Sequence, residues 1–333
     1  MIPTQNEEFS EDERRKHILE NYLYGDEYQI KLKERLKIQD AGSRSPEARK
    51  NIFYLCQRPD DPAEGCIFFI ENFGWTASTK MHIKNLPLIL FEYQKRAIRK
   101  IVENIDKGKD LFIEKSRDMG VSWIVGCYIS LWYWIFREGS NILLGSYKEK
   151  EVDNRVIDSL FGKIDYALFN LPDWMLPSSF KASKHRTKLR LLNPENGNAI
   201  TGDTMNPNFA RGSRKTVIMF DELSFWDYAK DAWESAGEST NCRIAMSTPC
   251  GYNFYALLRE TGMDILTLHW REHPLKDEEW YAYECRRKSE EEVAQELDIS
   301  YSKSKVGRVY PEWNENNVKI GQYEYNENLP LYI

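Results

Sequence analysis

The chain lacks the features of a membrane, secreted or uniformly basic protein. Among its 333 residues no apolar run approaches the roughly 20 that a membrane-spanning helix needs. The N-terminus, MIPTQNEEFSEDERRKH, is acidic and polar where a signal peptide has a basic stretch followed by an apolar one. Lys and Arg total 46 against 52 Asp and Glu, a formal net charge of −6, which excludes a uniformly basic nucleic-acid coat protein. We therefore expect a soluble, intracellular protein.

The sequence is also poor in the residues that build disulfide scaffolds and metal clusters. Its six cysteines are scattered without a CxxC pair, and its five histidines are dispersed. Disulfide-dense folds are small and secreted, and zinc sites need grouped Cys or His ligands, so we expect free thiols. With 41% hydrophobic residues, the chain is too apolar to be disordered and is long enough for one large domain or two modest ones.

The centre of the chain alternates strand-like and helix-like apolar segments. This alternation predicts an α/β fold with a mostly parallel central sheet and helices on both faces. We expect strands at 66–74, 111–115, 141–146, 216–222, 242–249 and 266–270, a hairpin of 188–192 and 199–203, and helices at 122–136 and 148–164.

Charged segments flank this core. Residues 7–50 carry apolar residues at helical spacing and i,i+4 charge pairs, which predicts one or two amphipathic helices. Residues 275–300 predict an acidic helix, followed by a loop-like tail. We therefore divide the chain into an N-terminal helical lid segment (1–60), a core (61–270) and a C-terminal lid or linker segment (271–333).

The most informative stretch is KSRDMGVS (115–122), which lies between a predicted strand and a predicted helix. A phosphate-binding loop needs backbone N–H groups at a helix N-terminus, a Lys near the phosphates and a hydroxyl for Mg²⁺. Against the pattern GxxxxGK[ST], Gly120 and Ser122 are in register, whereas Val121 takes the lysine position and Lys115 the first-glycine position. From the strand end the flexible stem of Lys115 is long enough to cross the loop. An ordinary strand–turn–helix junction stays open as the alternative.

A second motif is the apolar strand that ends in Asp221 and Glu222, about a hundred residues downstream. ATPases use such a pair to hold the Mg²⁺ shell and to orient or deprotonate the attacking water. Apolar strands that end in acids are common, so the pair indicates an ATPase only together with the loop that precedes it.

Two weaker motifs complete the pattern. Gln94 beside Tyr93 is suited to hydrogen-bond and stack on an adenine, although a surface Gln at a helix start is the more frequent case. Ser247-Thr248-Pro249 is suited to sense the terminal phosphate at a strand tip, or is a turn fixed by proline. The strand motifs fall at carboxyl ends, where open α/β sheets bind ligands.

One segment is strongly basic. Residues 181–190 hold five Lys or Arg and no acid; taken alone, such a run favours a solvated hairpin face, and sequence-independent contact with DNA phosphates is the other interpretation. The five candidates are Lys181, Lys184, Arg186, Lys188 and Arg190.

Over roughly residues 45–320 the chain resembles the ATPase domain of the large terminase subunit of tailed double-stranded DNA bacteriophages. The resemblance rests on FEYQKRAI (91–98), KSRDMGVS (115–122), FARGSRKTVIMFDE (209–222) and AMSTPCG (245–251). It implies a P-loop NTPase of the ASCE or RecA-like type, a three-layer sandwich with a small helical lid, which hydrolyses ATP with Mg²⁺ to translocate double-stranded DNA into a procapsid.

The resemblance also implies residue roles. The nucleotide would be bound by Tyr93, Gln94, Lys115, Ser116, Arg117, Asp118, Met119, Gly120, Val121 and Ser122. Ser122 and Asp221 would hold Mg²⁺, Glu222 would be the catalytic carboxylate, and Ser247, Thr248 and Pro249 would couple hydrolysis to movement. The implied partners are double-stranded DNA, a portal protein, a small terminase subunit and further copies of the chain in a ring, expected to be a pentamer; no membrane is implied, and the location is the host cell cytoplasm.

Three questions stay open at the level of sequence. The arginine that neutralises phosphate charge is either Arg117 in cis or Arg211 in trans, and we favour Arg211. Large terminases also carry a nuclease domain with clustered acids, which we do not find after 270, so we expect no DNA cleavage. The rival functions are a non-hydrolysing assembly protein with a relic loop and a helicase-like translocase, although the 84 residues after Pro249 are too few for a second RecA-like domain.

Overall fold

The computed structural model describes residues 11–78 and 83–304. The strands are β1 Trp75–Ser78, β2 Ile83–Pro87, β3 Leu111–Lys115, β4 Asn141–Ser146, β5 Arg186–Thr187, β6 Arg190–Leu192, β7 Ala199–Thr204, β8 Val217–Asp221, β9 Arg243–Ser247 and β10 Asp264–Leu268. The predicted tail beyond 304 lies outside the described residues.

Helices surround these strands. They are α1 Glu11–Tyr24, α2 Asp26–Arg44, α3 Pro46–Gln57, α4 Pro62–Phe73, α5 Glu92–Lys107, α6 Ser130–Phe136, α7 Glu149–Val152, α8 Leu160–Asn170, α9 Ala182–His185, α10 Ala229–Gly237, α11 Phe254–Leu258, α12 Glu278–Arg287 and α13 Glu290–Glu296. The segment Ser122–Ile129 is π-helical and continues directly into α6, so the predicted helix at 122–136 is confirmed. Among the described residues, no helix combines the length and the apolar character needed to cross a bilayer.

Eight strands form one sheet in the order β10-β3-β9-β8-β4-β7-β6-β5. The six from β10 to β7 are parallel, and β6 and β5 add an antiparallel edge. Strand β9 separates β3 from β8, so the strand that precedes the loop and the strand that ends in acids are not neighbours. Their carboxyl ends nevertheless meet at the same edge because all three are parallel.

Two apolar cores cover the two faces of this sheet. Alternate residues of β3 point to opposite faces: Leu111 and Ile113 pack in one cluster with α4, α5, α6 and α8, while Phe112 packs in the other with α10 and α11. Every residue of β3 and of β8 is buried, as expected of parallel strands covered on both sides. The predicted three-layer α/β sandwich with a mostly parallel central sheet is thereby confirmed.

Three local predictions were wrong. Residues 66–74 are not a strand but belong to α4, because Pro62 occupies the first turn and the Asp61 side chain caps it by accepting from the Glu64 N–H at 3.3 Å. A short apolar run cannot distinguish a strand from a buried helix. The helix expected at 148–164 is interrupted between α7 and α8, and 275–300 forms two helices, each with its own capping side chain: Ser159 for α8, Asp277 for α12 and Ser289 for α13.

Candidate nucleotide-binding site

A cavity of about 430 Å³ opens where the carboxyl ends of β3, β4 and β8 meet. Its volume falls within the roughly 300–1,000 Å³ typical of small-molecule sites. Most of the residues of the predicted phosphate loop line it, and so do both acids of the predicted pair. The lining residues are Ala77, Lys115, Arg117, Asp118, Met119, Gly120, Val121, Ser122, Trp123, Ser146, Tyr147, Glu151, Ile157, Asp158, Leu160, Lys163, Asp221 and Glu222.

The loop between β3 and the following helix has two residues in the left-handed region. Asp118 has φ 58° and Gly120 has φ 77°. A Cβ atom on Gly120 would lie 2.8 Å from Nε2 of Gln94, so both the backbone conformation and the close approach of Gln94 require glycine. Ser122 then begins the helix, with its N-terminus at the cavity. This arrangement gives the loop the geometry of an anion-binding turn.

Glu222 is held between two side chains from neighbouring strand ends. Its Oε1 lies 3.0 Å from Nζ of Lys115, and its Oε2 accepts a hydrogen bond of 3.0 Å from Oγ of Ser247. Glu222 itself has φ 52°, a strained conformation for a non-glycine residue that often marks functional sites. Burial opposes its ionisation, but the Lys115 ammonium, together with Arg117 and Ser247, holds the pKa of Glu222 below its ordinary value.

Asp221 lies next to this network and is almost fully buried. Burial, followed by repulsion from Glu222, raises the pKa of Asp221 above its ordinary value, against the attraction of Lys115 and Lys163. Its Oδ1 is buried and has no hydrogen-bond partner among the described residues. A buried carboxylate oxygen without a partner is costly unless a ligand completes it.

These residues fit a bound Mg²⁺. The unpartnered Oδ1 of Asp221 and the hydroxyl of Ser122 are hard oxygen donors at the same cavity, which is the ligand chemistry that Mg²⁺ prefers. Oγ of Ser146, at the end of β4, is also buried without a partner in the described part of the chain. Ser122 and Asp221 are therefore the residues able to hold the ion.

Gln94 and Tyr93 lie behind the loop rather than among the residues that line the cavity. The Tyr93 hydroxyl donates to the Met119 carbonyl at 3.1 Å, and Nε2 of Gln94 is 3.5 Å from the same oxygen. Oε1 of Gln94 accepts from the Phe91 N–H at 3.0 Å and so closes the N-terminus of α5. In this structure both side chains support the loop backbone, and their predicted contact with an adenine stays a prediction.

Ser116 and Arg117 connect the loop to the C-terminal segment. The Ser116 hydroxyl donates to the Leu297 carbonyl at 2.6 Å, and the Arg117 N–H donates to the Glu296 carbonyl at 2.6 Å. The Arg117 side chain lines the cavity and lies 3.4 Å from the Glu296 carboxylate. Lys276 donates to the carbonyl of Arg117 at 2.8 Å. The segment from 271 onward thus contacts the phosphate loop directly.

The three predicted coupling residues lie at the end of β9. Ser247 contacts Glu222 and Oγ of Ser224, and the Thr248 carbonyl accepts from the Ser224 hydroxyl at 2.7 Å. Oγ1 of Thr248 is buried and has no partner within the described residues. Pro249 follows as a buried residue of the turn. The structure therefore brings Ser247, but not the side chain of Thr248, into contact with Glu222.

Arg211 lies away from this cavity. It lines a separate cavity of about 490 Å³ with Arg214 and Glu238, and its Nε is 3.4 Å from Oγ of Ser235. The side chain is exposed and is not among the residues that line the nucleotide-site cavity, a position compatible with contact to a neighbouring subunit.

The five basic residues of the run 181–190 differ in their exposure to solvent. Lys181, Lys184, Lys188 and Arg190 are exposed, whereas Arg186 is buried. Its guanidinium makes paired hydrogen bonds of 2.6–3.0 Å to Asp153 and Asp165 and lies 4.6 Å from the Phe161 ring centroid. The prediction that Arg186 binds DNA is therefore corrected, because its donors are already used inside the fold.

Sequence reasoning missed half of the residues that line the cavity, among them the hydroxyl of Ser146 and the ammonium of Lys163. Ser146 ends β4 with a hydroxyl, and the polar end of this predicted strand was the signal that could have identified it. Lys163 lies near the start of α8, far in sequence from every motif, and no local pattern distinguishes it from a surface lysine.

The comparisons with known proteins give a shared fold. No family model matches the chain, and no curated protein matches it. Among solved structures, the large terminase of bacteriophage HK97 is 16% identical with a TM-score of 0.50, over 71% of this chain and 54% of that protein. A mutant ATPase domain of the Thermus phage P74-26 large terminase is 15% identical with a TM-score of 0.48, over 64% and 94%. The large terminase of a thermophilic bacteriophage in complex with ADP is 10% identical with a TM-score of 0.46, over 64% and 54%.

These similarities test the predicted resemblance to the ATPase domain of phage large terminases. This chain spans about half the length of the HK97 protein, 54% of it. At such low sequence identity the likeness is one of fold, and at that level the expected resemblance to phage large terminases is confirmed.

Proposed function

We propose that this chain is the ATPase part of a viral DNA-packaging motor, which hydrolyses ATP with Mg²⁺ to translocate double-stranded DNA into a procapsid. The observation that carries the proposal is the Lys115–Glu222–Ser247 network beside Asp221. Lys115, Glu222 and Asp221 line a cavity together with the phosphate loop and the N-terminus of the helix that follows it. The fold shared with a large terminase supports the assignment to packaging.

The proposed chemistry starts from the Lys115–Glu222 pair. ATP phosphates compete with Glu222 for the ammonium of Lys115, because they carry more negative charge and lie over the same loop. Glu222, released on one side and still held by Ser247 on the other, then accepts the proton of the attacking water. Bound Mg²⁺, held by Ser122 and Asp221, supplies neutralisation of phosphate charge.

An arginine completes the proposed site. Arg117 lines the cavity and is the candidate within the same chain. Arg211 is exposed outside the cavity and is the candidate for a neighbouring subunit's site. We favour Arg211, which makes turnover depend on a ring of subunits.

Coupling to DNA is proposed to run through the C-terminal segment. Lys276 and Glu296 contact the backbone of Arg117, and Leu297 contacts the Ser116 hydroxyl. A movement of the loop on phosphate release would therefore displace this C-terminal segment, which is not part of the sheet. Backbone contacts are sufficient for a motor that moves any sequence, and Lys181, Lys184, Lys188 and Arg190 are the proposed DNA contacts. A portal protein and a small terminase subunit are the proposed protein partners, in the host cell cytoplasm.

The test is steady-state ATP hydrolysis against protein concentration, for the chain and for Glu222→Gln. We expect turnover per chain to rise with concentration and to disappear in the variant, since a trans arginine requires assembly. A total hydrolysis rate that is proportional to protein concentration, and so constant per chain, but still depends on Glu222 assigns the arginine role to Arg117. Mg-ATP binding with no turnover at any concentration, also with DNA present, contradicts the ATPase proposal and favours a relic loop, for which the buried Val121 in the lysine position is the structural argument.

A further inference from the structure

Lys163 is a cation of the cavity wall that belongs to none of the motifs. It lies near the start of α8 (Leu160–Asn170), and its neighbours Ile157, Asp158 and Leu160 line the same cavity as the phosphate loop. The side chain is partly buried, and its Nζ is 6.0 Å from the ring centroid of Trp123, another cavity residue.

Lys163 has acidic neighbours but no close carboxylate partner among the described residues. Its ammonium donates to a neutral acceptor, the Asp158 carbonyl, at 2.7 Å. Among the described residues no carboxylate forms an ion pair with Lys163, whereas the other two cavity cations are paired, Lys115 with Glu222 and Arg117 with Glu296. Burial lowers the pKa of Lys163, and the negative charges of Asp221, Asp158 and Glu151 act in the opposite direction from a distance.

The position is unfavourable for a lysine unless a ligand uses it. The amino end of a helix carries partial positive charge, so a cation near the start of α8 is repelled by its own helix. A partly buried cation that is not hydrogen-bonded to a carboxylate costs further free energy. An anionic group that enters the cavity removes both costs.

We propose that Lys163 binds the terminal phosphate of the nucleotide, as a second phosphate-binding lysine in the same chain. This inference rests on the proposed function, because it assumes that the cavity takes a nucleotide. Lys115 acts from the end of β3 and Lys163 from α8, and Asp221 attracts both ammonium groups. Since the extra charge of a triphosphate lies at its terminal group, Lys163 discriminates ATP from ADP.

The experiment compares the affinities of the full chain for ADP and for ATP-γ-S, each with Mg²⁺, by titration calorimetry. In Lys163→Met we expect the Kd for ATP-γ-S to rise about tenfold, as for the loss of one charged hydrogen bond, while the Kd for ADP stays within about twofold. Lys163→Arg, which keeps the charge, is expected to stay within about threefold of the wild type for both ligands. Lys230→Met, an exposed helical lysine paired with Glu234, is the matched control and is expected to leave both affinities unchanged.

The outcomes separate the inference from the proposed function. Equal weakening of ADP and ATP-γ-S in Lys163→Met, or no change in either, overturns the inference while the nucleotide site stands. A wild-type chain that binds neither ligand overturns the proposed function and the inference with it. If Lys163→Met does not fold, as judged by its thermal midpoint, Lys163→Gln replaces it under the same expectations.

Discussion

Nζ of Lys115 lies 3.0 Å from Oε1 of Glu222, although 107 positions separate the two residues in the chain. The contact joins the ends of β3 and β8 across β9, and Ser247 of β9 holds the second oxygen of the same carboxylate. In this arrangement the buried ammonium of Lys115 and the largely buried carboxylate of Glu222 are counter-charges of each other. A ligand that displaces Lys115 from Glu222 therefore changes the electrostatic environment of the Glu222 carboxylate.

Because the charges of Lys115 and Glu222 compensate each other, we expect substitutions of the two residues to have non-additive effects on the free energy of unfolding. Lys115→Met leaves the Glu222 carboxylate buried without its cation and should lower the free energy of unfolding by about 3 kcal/mol. In Lys115→Met/Glu222→Gln both charges are gone, so the double variant should be more stable than the sum of the two single losses predicts. Urea unfolding of the four proteins, followed by tryptophan fluorescence, measures this difference. Additive losses would show that the pair is not coupled.

Ser247→Ala should reduce the rate of hydrolysis without weakening nucleotide binding. The substitution removes the hydrogen bond that holds Oε2 of Glu222 at 3.0 Å, so the carboxylate is less well oriented toward water. We expect kcat to fall about tenfold, as for a positioning group of a general base, with an unchanged Kd for ATP-γ-S. Ser130→Ala removes another buried hydroxyl, which donates to the Val125 carbonyl, and should change neither quantity. A parallel loss of binding in Ser247→Ala contradicts the positioning role.

Gly120→Ala should abolish nucleotide binding, since alanine is strained at φ 77° and its Cβ would meet Nε2 of Gln94 at 2.8 Å. Gly139→Ala is the matched control, because Gly139 has φ 74° but no atom within 4 Å of the added Cβ. Both variants should lose about 1 kcal/mol of stability from the left-handed backbone. Only Gly120→Ala should lose the binding of ATP-γ-S measured by calorimetry. Equal binding by the two variants would remove the loop from the site.

Arg186 should matter for stability, and its effect should depend on pH. Burial opposes ionisation of Asp153, but the hydrogen bonds from Arg186 and from the Leu189 N–H hold the pKa of Asp153 below its ordinary value. A carboxyl with a lowered pKa in the folded state stabilises above its unfolded pKa, near 4, and this contribution is lost as the pH falls through the folded value. Arg186→Met should therefore cost about 3 kcal/mol at pH 7 and progressively less below pH 4.

Urea unfolding at several pH values measures this dependence. Lys184→Met, an exposed substitution in the same basic run, should change stability by less than about 0.5 kcal/mol at every pH. A cost of Arg186→Met that does not change between pH 7 and pH 3 would exclude the Asp153 carboxylate as its cause.

The exposed basic residues should control DNA stimulation. Replacing Lys181, Lys184, Lys188 and Arg190 by Gln leaves the Arg186 pairs intact and should lower DNA-stimulated ATPase and its salt dependence. Each lost phosphate contact should reduce the slope of log affinity against log salt by about one. Filter binding to duplex DNA at several salt concentrations provides the measurement. An unchanged slope would remove this surface from the DNA path.

The strands β3, β4, β8 and β9 were predictable because each is a short apolar run that ends in polar residues. Leu111–Lys115 and Asn141–Ser146 agree with the expected bounds residue for residue, and the carboxyl end of β8 falls one residue before the predicted one. The α4 segment was not predictable, because its apolar residues continue around the helix and leave no period to read. Its caps, Asp61 and Pro62, were the signal that distinguishes the two structures.

The sequence alone determined the order of the motifs, the polar residues at the strand ends and the glycine that the loop requires. These features are local, since they depend on residue type and on neighbours along the chain. Only the tertiary structure decided that Lys115 pairs with Glu222, that Arg186 is buried against Asp153 and Asp165, and that Lys163 lines the cavity without an ion pair to any described carboxylate. Such partners depend on which strands and helices become neighbours. That order is set by packing across the whole sheet, and no segment carries it by itself.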